Sequence, residues 1–247
     1  MKTSKILIII ILITCFCFFI YCLNNFSAKE GFDASKFNVN TADLDTLDPK
    51  NIDVDAKTYK QIIYAIILKK TQNACYRMNI PVFLSSGTCL GYFREGKIID
   101  HDYDIDVGIW SEDYNETLIE EMRKEGLIHY RTYGSPDLGM ELSFRYPGTL
   151  LGRNAKIDIF LHYLEKDEEG NNKVFWISYA PFKKNKKRIK YRVDAFNLKK
   201  ANFLGMEYHV PYPTLNYIKQ HYGDDWMIPK KPGKYLYYKS PKSIVKN

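Results

Sequence analysis

Cysteine is scarce in the part of the sequence that can form a globular domain. Three of the five cysteines, Cys15, Cys17 and Cys22, lie in an apolar N-terminal run, which leaves only Cys75 and Cys89. The sequence has no Cys-x-x-Cys pair and no cysteine–histidine cluster, so a structural zinc site is not expected. Cys75 and Cys89 either form one disulfide in an oxidising compartment or are two small buried apolar residues, and the second interpretation is favoured.

The sequence also lacks internal repeats and a strong excess of charge. With 247 residues and 45% hydrophobic content, we expect one core, or one core plus an anchor, but not two packed domains. The 36 basic residues exceed the 29 acidic residues and give a net charge of +7. This moderately basic balance suits a phosphate-rich ligand, nucleic acid or an anionic membrane surface, and it does not choose among them.

A single long apolar run, residues 6–23, stands near the N-terminus and contains no charged residue. Eighteen residues in a helix span roughly 27 Å, which is close to the hydrocarbon thickness of a bilayer. Lys2 and Lys5 precede the run and favour a cytoplasmic N-terminus. A cleaved signal peptide is the alternative, but the residues that follow make a poor cleavage site. We therefore predict a type II single-pass protein, with a cytoplasmic tip at residues 1–5, a transmembrane signal anchor, and a body that is lumenal (Golgi or ER-like) or extracellular.

Residues 24–52 are polar and lack periodicity, which predicts a stem or linker. Asn25 and Asn115 begin N-glycosylation acceptor patterns, which agree with a lumenal body. Residues 53–247 mix helical and strand patterns, which predicts one domain of the α/β (α+β) class with a single sheet.

The predicted elements follow from hydrophobic periodicity and turn residues. Helices are predicted over residues 54–78, 114–126 and 214–223, with a short helix that follows Gly87 and stops near Gly96. Strands are predicted over residues 81–87, 104–110, 127–133, 140–146, 155–164, 173–179 and 203–211. The basic run Lys183–Arg192 either grips a phosphorylated ligand or is a solvated loop, and the tail after Trp226 is predicted to be irregular.

Acidic residues alternate in the segment HDYDIDVGIW, residues 101–110. Side chains two positions apart in a strand point to the same face, so Asp104 and Asp106 project together. Asp158 lies in the middle of the apolar strand KIDIFLHY, where a carboxylate is costly to bury unless it has a function. If the two strands are neighbours, the three carboxylates form a cluster, and oxygen ligands without histidine or cysteine suit Mg²⁺ or Mn²⁺.

Gly87 and Thr88 lie at a strand-to-helix junction upstream of these acids. A glycine there lets the backbone approach an anion closely, and a helix N-terminus favours phosphate. The sequence thus places a phosphate-binding turn before a metal-binding strand.

The order of these motifs is similar to the nucleotidyltransferase fold, and more closely to the LicD/fukutin family within it. GTCLGYFREGKIIDHDYDIDVGI resembles the family's block that begins GTLLG and ends in DxDID. KIDIFLHY resembles its later strand with DIF, and VPYPTLNYIKQHYGDDWMIPKK resembles its C-terminal YG-x-x-W-x-x-P segment. The resemblance covers about residues 55–232 and implies a mixed sheet flanked by helices.

The resemblance implies transfer of a phospho-alcohol, of the phosphocholine or ribitol-phosphate type, from a CDP-linked donor to a glycan hydroxyl. Asp104 and Asp106 would hold Mg²⁺ or Mn²⁺ on the donor diphosphate, and Asp158 would complete the metal site or act as general base. Arg94 would pair with a phosphate oxygen. Tyr103 interrupts the family's acidic run, so Asp102 is the less certain metal ligand.

Two alternatives stay open: a nucleotidyltransferase that acts on another substrate, and a catalytically silent, membrane-anchored binding or scaffold protein. His101, His162 and His221 are considered as acid or base groups, and His162, close to Asp158, is the one worth testing. Nucleic acid is not expected as a partner, because no platform of interleaved aromatic residues is evident and the chain carries an anchor.

Overall fold

The structure, a computed structural model, describes residue 44 and residues 47–182 and 185–230. For residues 180–182 and 185–187 it describes the backbone alone. The predicted cytoplasmic tip, the predicted anchor and most of the predicted linker lie outside the described residues. Among the helices that are described, none has the length and hydropathy needed to cross a bilayer.

Within the described residues the chain forms four α-helices and nine strands. The helices are α1 (Ala56–Arg77), α2 (Ser86–Glu95), α3 (Leu118–Lys124) and α4 (Thr214–Tyr222). The strands are β1 (Phe83–Leu84), β2 (Ile105–Trp110), β3 (Ile128–Ser135), β4 (Gly139–Arg145), β5 (Lys156–Lys166), β6 (Asn172–Phe182), β7 (Asn185–Asp194), β8 (Asn197–Phe203) and β9 (Met206–Tyr212).

The strands form one mixed sheet in the order β3-β4-β5-β2-β1-β9-β8. β2 runs parallel to β5 and β1 runs parallel to β9, whereas the other pairs are antiparallel. The end of β5 also pairs with β6, which forms a long hairpin with β7. The predicted α/β class, with a mixed sheet flanked by helices, is confirmed.

Helix α1 supplies much of the core on one side of the sheet. Its N-cap is Asp55, whose Oδ1 accepts hydrogen bonds from the Lys57 and Thr58 amides at 2.9 and 3.2 Å. Its central residues, from Ile62 to Leu68, are almost fully buried. The helix packs against α3 and β5, as expected for a long helix whose tertiary contacts outweigh its intrinsic propensity.

Strands β2 and β5 have opposite chemistry on their two faces. Ile105, Val107 and Ile109 of β2 are buried in the core, and β5 adds Ile157, Ile159 and Leu161. Because side chains alternate along a strand, Asp106 and Asp158 point to the other face. The apolar faces therefore fix the register that places both acids on one side of the sheet.

The basic run Lys183–Arg192 is largely a strand, so its interpretation as a solvated loop is wrong. β7 pairs with β6 along its whole length. Ile189, Tyr191 and Val193 are buried, while the exposed fraction is larger for Lys190 and Arg192 between them. This alternation explains the strand, because the apolar residues pack while the charged ones face outward. β8 was not predicted from the sequence either.

The two cysteines of the described chain are unpaired. Cys75 in α1 and Cys89 in α2 are buried free thiols. Their interpretation as small buried apolar residues is confirmed, and no disulfide joins them. Burial raises the pKa of the Cys75 thiol to about 12, so it stays protonated and unreactive at neutral pH.

Candidate active site

Three aspartates meet where β2 and β5 lie side by side. Asp104 immediately precedes β2, and Asp106 pairs directly with Asp158 of β5. One carboxylate oxygen from each of the three residues lies within 4.8 Å of the others. The sequence-based condition for a cluster, that these two strands are neighbours, is confirmed.

Lys156 lies among these carboxylates and was not singled out from the sequence. Its Nζ donates to Asp104 Oδ2 at 2.6 Å and to Asp158 Oδ2 at 2.8 Å. Burial alone would lower the pKa of Lys156, but the charges of Asp158 and Asp104 raise it above its ordinary value. Lys156 precedes Asp158 by two positions in the same strand, and this spacing is the signal that could have identified it.

Nearby positive charge does not balance the negative charge of the Asp106 and Asp158 carboxylates. Burial, followed by the charges of Asp104 and Asp158, raises the pKa of Asp106 well above its ordinary value. Burial also raises the pKa of Asp158, although Lys156 opposes this effect. One ammonium group thus faces three carboxylates, and hard oxygen ligands with excess negative charge fit Mg²⁺ or Mn²⁺.

Two neighbours outside the triad hold the side chains of Asp106 and Asp158 in position. The Gly87 amide donates to Asp106 Oδ2 at 3.1 Å, and the Ser143 hydroxyl of β4 donates to Asp158 Oδ1 at 2.6 Å. Each acid is therefore oriented by a donor from another element, as metal ligands commonly are.

Gly87 lies at the start of α2 against two of the acids. A Cβ at this position would be 3.1 Å from Asp102 Oδ2 and 3.2 Å from Asp106 Oδ2, so a side chain would crowd both carboxylates. Thr88 is buried, and its hydroxyl accepts a hydrogen bond from the Asp106 amide at 2.8 Å. The structure thus places Gly87 on the cavity wall, whereas Thr88 connects α2 to β2.

Arg94 is buried at the far end of α2. Its guanidinium donates to the Trp226 carbonyl at 3.1 Å and to the Glu95 carboxylate at 2.6 Å and 3.0 Å. It lines a small cavity of about 70 Å³ that Asp102 also borders. Arg94 is not brought into the aspartate cluster, and it connects α2 to the segment that contains Trp226.

Asp102 lies beside the cluster but outside the metal-sized triad. Burial, followed by the charge of Asp104, raises the pKa of Asp102 to about 7. The preceding loop is held by Lys60 of α1, whose Nζ donates to the carbonyls of Ile99, Asp100 and Asp102 at 3.2, 2.8 and 2.5 Å. Lys60 therefore fixes the backbone from which Asp102 and Asp104 project.

Two of the three histidines considered as acid or base groups, His162 and His221, are core residues. His162 is fully buried between the rings of Phe83 and Trp176, at centroid distances of 4.9 and 5.0 Å. Burial lowers the pKa of both His162 and His221 to about 3, so both are neutral at physiological pH. Only His101 and His221 border the main cavity, and His162 does not reach it.

The aspartates open into a cavity of about 510 Å³, a size suited to a nucleotide-like ligand. Its walls are rich in aromatic and hydroxyl groups, contributed by Tyr103, Tyr133, Phe160, Trp176, Ser178, Tyr179, Tyr191 and Tyr222.

Glu141 of β4 also lines the cavity and was not identified from the sequence. The Tyr179 amide donates to Glu141 Oε2 at 3.1 Å. Burial, followed by the charge of Asp158, raises the pKa of Glu141 to about 8.

These buried acids predict an unusual pH dependence of stability in metal-free protein. The pKa values of Asp102 and Glu141 are about 7 and about 8, against ordinary values of 3.8 and 4.5. The folded state therefore binds their protons more tightly than the unfolded chain, and this stabilisation is lost as pH rises through these values. Below pH 6.5 the neutral His162 and His221 act in the opposite direction, since their pKa values are lowered.

We expect the free energy of unfolding in EDTA, measured with urea, to fall by on the order of 2 kcal/mol between about pH 6.5 and pH 8. The Glu141→Gln variant should show a smaller decline over the same interval. A free energy that rises across this interval in the unsubstituted protein would contradict the assignment.

Comparisons with known proteins show which family the sequence resembles. The family model described as "LicD/FKTN/FKRP, nucleotidyltransferase domain" matches residues 79–213. The chain is 33% identical over 192 residues to the Homo sapiens protein named "Ribitol-5-phosphate transferase FKTN", covering 77% of this chain and 37% of that protein. It is 30% identical over 185 residues to the Caenorhabditis elegans "Uncharacterized protein W02B3.4", covering 73% of this chain and 46% of that protein. The chain thus spans less than half the length of either relative.

Proposed function

Because the chain belongs to the LicD/FKTN/FKRP family of nucleotidyltransferase domains, we propose that it is a glycan-modifying phosphotransferase. It moves a phospho-alcohol, of the ribitol-phosphate or phosphocholine type, from a CDP-linked donor to a glycan hydroxyl, with Mg²⁺ or Mn²⁺ as cofactor. The human relative, which is named a ribitol-5-phosphate transferase, supports the ribitol-phosphate class.

The observation that carries this proposal is the cluster of Asp104, Asp106 and Asp158 at the floor of a nucleotide-sized cavity. A structural role alone does not explain three converging carboxylates with one lysine between them, because their mutual repulsion destabilises the fold. A site that binds a diphosphate through a divalent cation does explain them.

The three aspartates would hold the cation, which supplies charge neutralisation on the transferring phosphoryl group and the leaving CMP. Lys156 keeps Asp104 and Asp158 together, at 2.6 and 2.8 Å from its Nζ. Gly87 and the first turn of α2 present backbone close to the acids without a side chain in the way.

In the reaction the acceptor hydroxyl oxygen forms a bond to the phosphorus that bears the alcohol. The bond from that phosphorus to the CMP oxygen breaks, and CMP leaves. The hydroxyl proton passes to a carboxylate, and Asp158 and Glu141, two of the acids that line the cavity, are the candidates for this role.

The test is release of CMP from CDP-ribitol and CDP-choline by the purified full-length chain. We expect turnover with Mn²⁺ or Mg²⁺ and none in EDTA, since the excess negative charge of the cluster requires a cation. Incorporation of a nucleotide, with release of pyrophosphate from a nucleoside triphosphate, would instead identify a nucleotidyltransferase. Absence of both reactions, with binding retained, would identify a silent binding protein.

We also propose that residues 6–23 anchor the protein in a membrane, with the catalytic body in the lumen or outside the cell. The support is the uncharged apolar run preceded by Lys2 and Lys5. Protection of the body from added protease in sealed microsomes tests this orientation, and digestion of the body in intact vesicles would overturn it.

A further inference from the structure

Residues that pair across neighbouring strands connect the aspartates of the active site to an arginine. Asp106 pairs with Asp158, Asp158 with Ser143, and Ser143 with Arg131. Directly paired residues on neighbouring strands project from the same face. Two strand spacings of about 4.8 Å place the Arg131 backbone roughly 10 Å from that of Asp158. Arg131 lines the same cavity.

A β-bulge brings this arginine into register. The pairing of β3 with β4 shifts between His129 and Arg131, which makes Tyr130 the extra residue. Arg131 Nη2 donates to the Tyr130 hydroxyl at 2.7 Å, and Nη1 donates to the Tyr133 hydroxyl. The guanidinium also lies over both rings, at 4.9 and 4.7 Å from their centroids. The bulge and two phenols therefore fix the position of the guanidinium.

The charge of Arg131 acts on the nearby carboxyl of Glu141, but the two groups form no ion pair. Arg145 also lies over the Tyr130 ring, with its guanidinium carbon 3.9 Å from the ring centroid. Among the described residues, neither Arg131 nor Arg145 forms an ion pair, and the Nε atoms of both are buried without a hydrogen-bond partner. A guanidinium that lines the cavity without a carboxylate ion pair favours an oxyanion of a ligand as its partner.

We propose that Arg131, fixed by Tyr130 and Tyr133, forms an oxyanion subsite that holds a phosphate-type group of a substrate, separate from the diphosphate at the aspartates. This inference rests on the proposed function, because it assumes that the cavity binds donor and acceptor. A CDP-linked ribitol or choline donor carries no phosphate group besides its diphosphate, so the group belongs to the acceptor, and the guanidinium recognises it through its paired N–H donors.

The first experiment measures binding of inorganic phosphate to the full-length chain by calorimetry in EDTA, at constant ionic strength maintained with chloride. EDTA removes binding through a cation at the aspartates, and the Arg131 variants test whether the phosphate binding that persists depends on this guanidinium. We expect Arg131→Gln to weaken this binding at least tenfold and Arg131→Lys to weaken it less. Arg153→Gln, in an exposed turn outside the cavity, is the matched control and should bind as the unsubstituted chain does.

Equal phosphate affinity in Arg131→Gln and the unsubstituted chain, or no binding to the unsubstituted chain in EDTA, would overturn the subsite. Near-ultraviolet circular dichroism confirms that the variants are folded. This result is independent of turnover, so the subsite and the proposed function can fail separately.

The second experiment identifies the source of the group through CMP release from CDP-ribitol with Mn²⁺ and no acceptor. A raised KM for the donor in Arg131→Gln would show that the guanidinium binds the donor diphosphate and would overturn a separate subsite. An unchanged donor KM, together with lost phosphate binding, assigns it to the acceptor.

Discussion

Replacing Asp106 with asparagine is expected to lower metal-dependent CMP release at least a thousandfold while the protein stays folded. The amide has the same shape, and its oxygen can still accept from the Gly87 amide, which lies 3.1 Å from Asp106 Oδ2. It cannot supply the negative charge that a divalent cation requires, and a thousandfold loss corresponds to about 4 kcal/mol of barrier. The measurement is steady-state turnover of CDP-ribitol as a function of Mn²⁺ concentration.

The matched control is Asp137→Asn, which makes the same chemical change in the exposed turn between β3 and β4. Because Asp106 is half-buried beside two other carboxylates, its neutralisation should leave the metal-free melting temperature unchanged or higher. Near-normal turnover in Asp106→Asn, with Asp137→Asn as reference, would rule out Asp106 as a ligand.

Replacing Lys156 with methionine should destabilise the metal-free protein by about 3 kcal/mol, because removing one partner of a buried ion pair leaves the other charges uncompensated. In a domain of this size that loss lowers the melting temperature by roughly 6–12 °C. Addition of Mn²⁺ should restore more stability to Lys156→Met than to the unsubstituted chain, since the cation then supplies the missing positive charge. The experiment is a thermal melt with and without Mn²⁺.

Lys166→Met is the control, because it removes an exposed lysine from the other end of the same strand. The deficit of Lys156→Met should also shrink at low pH, where the aspartates take up protons. Equal melting temperatures for the two variants in EDTA would show that Lys156 does not balance the cluster.

The cluster was predictable from the sequence because period-two alternation determines which side chains share a face. Asp106 and Asp158 each lie between large apolar residues, so the burial of those neighbours placed the acids on the opposite face. The sequence could not say that the two strands are adjacent and in register. The parallel pairing that settles this point joins segments far apart in the chain.

Other features required the tertiary structure. The spacing of Lys156 from Asp158 indicates a shared face of the strand, but it does not show that the Lys156 Nζ lies between two carboxylates. β7 was missed because its charged residues hide the alternation of Ile189, Tyr191 and Val193. Arg94 was expected to bind a phosphate, but it donates to the backbone carbonyl of Trp226. Every residue has a backbone carbonyl, so the sequence does not indicate which one an arginine will contact.

Because β2 pairs in parallel with β5, we expect the aspartate site to form late in folding. Asp104 and Lys156 are 52 positions apart, and the β3–β4 hairpin lies between them in the chain. The hairpins β3–β4, β6–β7 and β8–β9 pair strands that are close in the sequence. Parallel pairing of strands that are distant in the sequence requires the closure of a long loop, which costs more conformational entropy. A chain with every hairpin formed would still lack the triad. Divalent-cation binding would therefore serve as a chemical reporter that the central sheet has been completed.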